Sequence, residues 1–121
     1  MPIRTYRDLD VFRESYAAAL DSRLTKAFSG FEQFELARPL RRAARSIPAN
    51  IVEGWAKRNS PAEFKRYLQV AIGSCDEVKL WLEMSKDEGY VSNETIKVLM
   101  DRFNRIGAML ASLWKNWRNG E

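Results

Sequence analysis

A proline in the middle of an otherwise helical stretch constrains this chain more than any other feature. Residues 38–58 read RPLRRAARSIPANIVEGWAKR. Leu40, Ala44, Ile47, Ile51 and Trp55 recur at i, i+4, i+7, i+11 and i+15, which is one face of an α-helix. Arg38, Arg41, Arg42 and Arg45 gather on the opposite face at i, i+3, i+4 and i+7. Pro48 interrupts both stripes. It has no N–H for the carbonyl of Ala44, and inside an ordinary helix it costs about 3 kcal/mol. Either Ile47 ends one helix and Pro48 opens another, or a single helix passes through with a kink. The apolar stripe keeps its phase from Leu40 to Trp55, which favours one kinked helix.

The flanking segments have the same character. Asp8 or Asp10 can cap a first helix reaching about residue 28, with Leu9, Phe12, Tyr16, Ala19, Leu20 and Leu24 on its apolar side. Gly30 suits its C-terminal cap, and Phe28, Phe31 and Phe34 are expected to close the end of a core. Ser60, Pro61 and Glu63 spell a capping box for a third helix, whose stripe is Phe64, Tyr67, Leu68, Ala71, Cys75, Val78 and Leu82. Gly73 and Ser74 in its middle cost about 1 kcal/mol of propensity, which predicts close approach of a neighbouring helix there. Ser92 opens a fourth helix with Ile96, Phe103, Leu110 and Trp117 at heptad position a and Leu99, Ile106 and Leu113 at d. Four amphipathic helices over about 8–28, 36–58, 61–87 and 93–118 predict one all-α domain spanning 1–121, an up-down-up-down four-helix bundle with its second helix kinked at Pro48.

Composition narrows the chemistry. The chain has no histidine, which removes the commonest general base and metal ligand and excludes any Ser-His or Cys-His nucleophile. Small helical ribonucleases that depend on an Arg-to-His motif are excluded with them. Cys75 is the only cysteine, so no intrachain disulfide can form and a reducing compartment fits. Neither a signal peptide nor a membrane span is legible, and the expectation is a cytoplasmic protein with no membrane role. Within 38–58, six basic residues stand against one acid, a net of +5 in a chain whose total is +4, so the remainder sums to −1. That concentration points to an anionic partner.

The arginine stripe therefore reads in two ways, as a solvated face or as a surface for phosphates or an acidic protein. Solvated faces usually mix signs to gain i,i+4 pairs, and this one has no acid in reach on its own side. Lys57, Arg58, Lys65 and Arg66 can extend it around the next turn. The basic face has little aromatic interleaving, so base stacking is not indicated. Ser46, Asn50 and Glu53 fall on one side of the kinked helix and are expected to satisfy the carbonyl freed by Pro48 and to bond a neighbouring helix. Glu77 is expected to pair with an arginine across the bundle. No catalytic or metal-binding set emerges, and no cofactor is implied.

Several blocks resemble a known family. Arg41-Arg42-Ala43-Ala44, Ser46-Ile47-Pro48-Ala49-Asn50-Ile51 and Glu53-Gly54 resemble the signature of the 23S rRNA intervening-sequence protein family. Phe64, Tyr67-Leu68, Ala71, Gly73-Ser74 and Glu77 resemble its second block. Tyr6, Leu9 and Val11-Phe12 match its opening, and Gly89-Tyr90 its third turn. Pro39 and Ala56-Lys57 depart from it on the exposed surface. The same family contains the accessory variability proteins of diversity-generating retroelements. The resemblance implies a non-enzymatic four-helix protomer that assembles as a basic homopentamer. In the retroelement members that assembly binds a partner reverse transcriptase and nucleic acid. Arg41 and Arg42 are the basic positions that carry over, with Arg38 and Arg45 added in this chain. The expectation is a nucleic-acid-binding accessory protein that holds RNA or DNA by its phosphates. The alternative is an interaction scaffold whose arginines meet an acidic protein.

Overall fold

The computed structural model describes residues 2–26 and 33–118, without the side chains of 25, 26, 33 and 34. A 3₁₀ turn at Tyr6–Asp8 leads into α1 (Asp10–Ala19), and a short α2 (Arg23–Lys26) follows. A π-helical turn at Gln33–Ala37 runs directly into α3 (Arg38–Ala56), and α4 (Pro61–Asp87) and α5 (Asn93–Asn116) complete the chain. No strand occurs among the described residues. The long helices pack in a ring, α1 on α3, α3 on α4, α4 on α5 and α5 back on α1, around one core. Short turns between α3 and α4 and between α4 and α5 make those neighbours antiparallel. The fold is a four-helix bundle.

Local chemistry sets the boundaries. The Ser60 hydroxyl accepts from the N–H of Glu63 at 3.3 Å with Pro61 in the first turn, and Ser92 accepts from the N–H of Thr95 at 3.2 Å. Glu63 does not complete a capping box, because its carboxylate turns to Arg66 at 3.2 Å. The end of α4 needs a left-handed residue, and Gly89 supplies it at φ 81°. The N–H groups of Gly89 and Tyr90 then reach the carbonyls of Lys86 and Ser85, each at 3.0 Å, satisfying acceptors the helix would leave open.

The stripes expected of α3, α4 and α5 face the core. Leu40, Ala44, Ile47, Ile51 and Trp55 are all buried, as are Phe64, Leu68, Ala71, Cys75, Val78 and Leu82 opposite them. α3 is one helix across Pro48, whose ring is itself buried, so apolar packing offsets part of the lost hydrogen bond. At the Trp55 end, Trp55, Phe64 and Trp117 meet edge to face, with centroids 4.5–6.3 Å apart. Cys75 is buried and donates its S–H to the carbonyl of Phe103 at 3.1 Å, and burial pushes its thiol up to about 11.

The first helix departs from expectation. It stops at Ala19, and the chain turns at residues 20–22 before α2 begins. Asp8 and Asp10 do not cap α1, whose N-cap is Leu9; the Asp8 carboxylate instead accepts from the N–H groups of Arg4 and Thr5 at 2.8 and 3.0 Å. The core-facing residues of α1 are Val11, Phe12, Ser15 and Ala18. Tyr16 and Leu20, placed in the predicted stripe, stand 49% and 67% exposed. The predicted phase assumed one helix to residue 28, and the early break frees α1 to rotate a different side inward. The cap expected at Gly30 and the core role expected of Phe28, Phe31 and Phe34 fall outside the described residues and side chains.

Gly73 also differs. It is exposed, and a Cβ added there would meet nothing within 4 Å. The close approach occurs at Gly54 instead, where a Cβ would lie 2.8 Å from the Cβ of Tyr67 and 3.0 Å from Cδ1 of Phe64.

Candidate nucleic-acid interface

Arg38, Arg41, Arg42 and Arg45 project from the first half of α3, opposite its buried stripe. They line a hollow of about 360 Å³ to which no other described residue contributes. Among the described residues, no carboxylate pairs with Arg41, Arg42 or Arg45. Arg42 and Arg45 are exposed. Arg41 is half-buried, and its Nε is shielded from solvent without an acceptor among the described residues. Guanidinium groups with donors to spare, crowded on one wall, suit the oxygens of phosphate or carboxylate.

Lys57, Arg58, Lys65 and Arg66 do not continue this stripe. They lie at the opposite end of α3 and around its turn into α4, roughly 25 Å along the helix from Arg41 at 1.5 Å per residue. Each sits over a ring. The Arg58 guanidinium lies 4.4 Å from the Trp55 centroid and Lys65 5.4 Å from that of Trp114, while Arg66 and Lys57 approach Tyr67 at 4.5 and 5.6 Å. Arg66 is further held by Glu63, whose hydrogen bond raises the guanidinium pKa as the guanidinium lowers that of the carboxyl. The described residues thus form two basic regions along α3, one a wall of guanidinium groups and one of cations laid on aromatic rings.

The polar motif divides differently from expectation. The hydroxyls of Ser46 and Ser74 bond at 2.8 Å and tie α3 to α4. The Asn50 amide donates to the carbonyl of Ser46 at 2.8 Å and to its hydroxyl at 2.9 Å, so it serves that carbonyl rather than the one Pro48 frees. Glu53 is exposed and outside this bridge. Glu77 accepts from the indole N–H of Trp81 at 3.1 Å on its own helix rather than reaching an arginine across the bundle. No group of three or more possible metal ligands occurs among the described residues. No described helix is long and apolar enough to cross a membrane.

A second hollow adjoins the first. It holds about 350 Å³ between α1 and α3, and its walls include Tyr6, Phe12, Tyr16, Leu20, Pro48 and Val52. Arg45 lines both hollows. Aromatic interleaving absent from the linear stripe is therefore supplied by the 3₁₀ turn and α1. Its only signal in the sequence was the pair Tyr16 and Leu20, once their helix is allowed to end early.

The residues carrying this geometry fall within a larger match. Residues 7–112 match the family described as 23S rRNA-intervening sequence protein, well over half of the chain. The chain belongs to this family. A solved structure with the same bundle is a protein of unknown function from the S23 ribosomal protein family of Bacteroides thetaiotaomicron VPI-5482. It is 26% identical, the match covers 88% of this chain and 99% of that one, and the TM-score is 0.79. No curated protein matches. As a 23S rRNA-intervening sequence protein, this chain presents the arginine hollow on the outside of the family's bundle.

Proposed function

We propose that this family member is a non-catalytic, cytoplasmic accessory protein that binds nucleic acid through its phosphates as a homo-oligomer of five copies. The observation that carries this reading is the hollow whose described lining is four arginines. A phosphodiester chain offers repeated anions without sequence information, and a wall of guanidinium groups binds such a ligand largely regardless of base.

Assembly is supported by a second seam on α4 that points away from the core. Val70, Gly73, Glu77, Leu80 and Met84 follow the 3-4 spacing of a helix interface. Val70, Leu80 and Met84 are all exposed, Leu80 at 50%. Several copies would multiply the arginine stripe into a basic surface large enough for a long strand. A reverse transcriptase, the protein partner in the retroelement branch, is the enzyme this reading pairs with such a surface. Co-purification of the two from nuclease-treated lysate tests that pairing.

The direct test is fluorescence anisotropy with labelled single-stranded RNA and duplex DNA, on the native protein and on the Arg41→Ala/Arg42→Ala variant. Binding should fall roughly 10³-fold between about 50 and 200 mM salt if six or more phosphates are held, more than one copy's four arginines supply. The variant should bind every sequence more weakly with a flatter salt slope. Absence of binding at low salt would overturn the nucleic-acid reading and pass the arginines to an acidic protein surface.

A further inference from the structure

The apolar hollow beside the arginines has a consistent chemistry. Its floor includes Phe12, which is buried, and its open wall is the half-exposed ring of Tyr16, tilted 31° against Phe12 with centroids 5.7 Å apart. Leu20, Pro48 and Val52 give it aliphatic sides. The only charged residues lining it among those described are Arg7 and Arg45, and the Arg7 guanidinium lies over the rings of Tyr6 and Phe12 at 5.3 and 5.7 Å. The hollow is apolar within and cationic at its rim, and through Arg45 it opens onto a wall made of guanidinium groups.

A ligand that fills both spaces needs a flat apolar part joined closely to an anion. We propose that the two hollows form one composite site for single-stranded nucleic acid, with phosphates along Arg38, Arg41, Arg42 and Arg45 and an unstacked base against Tyr16. This assignment rests on the nucleic-acid reading above and adds strand type to it. A phosphodiester chain repeats the anion for the arginine wall and carries a base beside each one. A duplex keeps its bases stacked inside and cannot place one in the hollow. Aromatic faces accept any base, so the site distinguishes strandedness rather than sequence.

The test uses the full chain and two labelled probes of equal length and equal phosphate number, a mixed-sequence single strand and a strand built of abasic sites. The base-bearing strand should bind between about five- and a hundred-fold more tightly, the range that stacking on one aromatic ring supplies. Tyr16→Ala and, independently, Leu20→Asn should erase most of that difference while leaving affinity for the abasic strand unchanged. Both residues are exposed, so circular dichroism should show the bundle intact. Equal binding of the two probes would overturn the composite site and leave the arginine reading standing. A base preference untouched by either variant would place the base elsewhere and also overturn it. Failure of both probes to bind at low salt would overturn both assignments. Tyr16-dependent capture of an acidic amphipathic peptide, without discrimination between the strands, would give the hollow to a protein.

Discussion

Gly54 and Gly73 occupy helices that pack against each other, yet opposite reasons apply to them. At Gly54 the Cβ of Tyr67 occupies the space a side chain would need, and that backbone-proximal atom cannot swing aside. Gly54→Ala should therefore lower stability by about 1–3 kcal/mol, read as a fall in the urea midpoint. At Gly73 the space is open, so Gly73→Ala should raise the stability of the isolated bundle by about 1 kcal/mol through helix propensity. Asp21 is a third decisive residue. It accepts from the Arg23 guanidinium at 2.7 Å and reaches Arg102 of α5 at 3.3 Å, and its hydrogen bonds to Arg23 are the main reason its pKa falls below the usual carboxylate value. A folded pKa below the unfolded one means the stabilisation is complete above about pH 4 and disappears as pH drops through the folded value. Asp21→Asn should cost about 2 kcal/mol at neutral pH and flatten the acid limb of a stability–pH curve.

Among the elements, α3, α4 and α5 were legible because each is long and periodic, and α4 and α5 are also capped. Ser60, Ser92 and Gly89 mark real ends, and the heptad from Ile96 to Trp117 is the buried face of α5 apart from Leu113, which is half-buried. α1 was misread for a physical reason. Phe12 is shared by the expected and observed inner faces. The residues that complete the observed one, Val11, Ser15 and Ala18, are small or only weakly apolar, while the larger Tyr16 and Leu20 dominate any count of hydrophobicity. Only the break at 20–22, which no proline or glycine announces, tells which side turns inward. The arginine hollow was readable as a stripe, but its neighbour was not, because its walls come from segments some forty residues apart. The outer face of α4 yields a prediction at this scale. Leu80→Glu leaves the core untouched and should shift the protein from oligomer to monomer in light scattering coupled to size exclusion.

Across the whole molecule, positive charge is concentrated rather than spread. A net +5 concentrated in 38–58 leaves the remaining surface slightly acidic, so the molecule has an electrostatic direction that its total of +4 understates. The arginine hollow lies at one end of α3 and the ring-stacked cations at the other. A salt series should separate them. Affinity carried by the arginine hollow should fall steeply with ionic strength, and Lys57→Ala/Lys65→Ala should leave that slope nearly unchanged.

The lone thiol has a practical consequence. Cys75 lies between α4 and α5 with its proton held toward Phe103, so a thiol reagent can reach it only when those helices part. Its labelling rate under native conditions is thus a clock for the opening of the bundle, built into the chain without engineering. If copies associate only through closed bundles, that clock should slow as protein concentration rises, giving assembly energy from a stopwatch and a single sulfur.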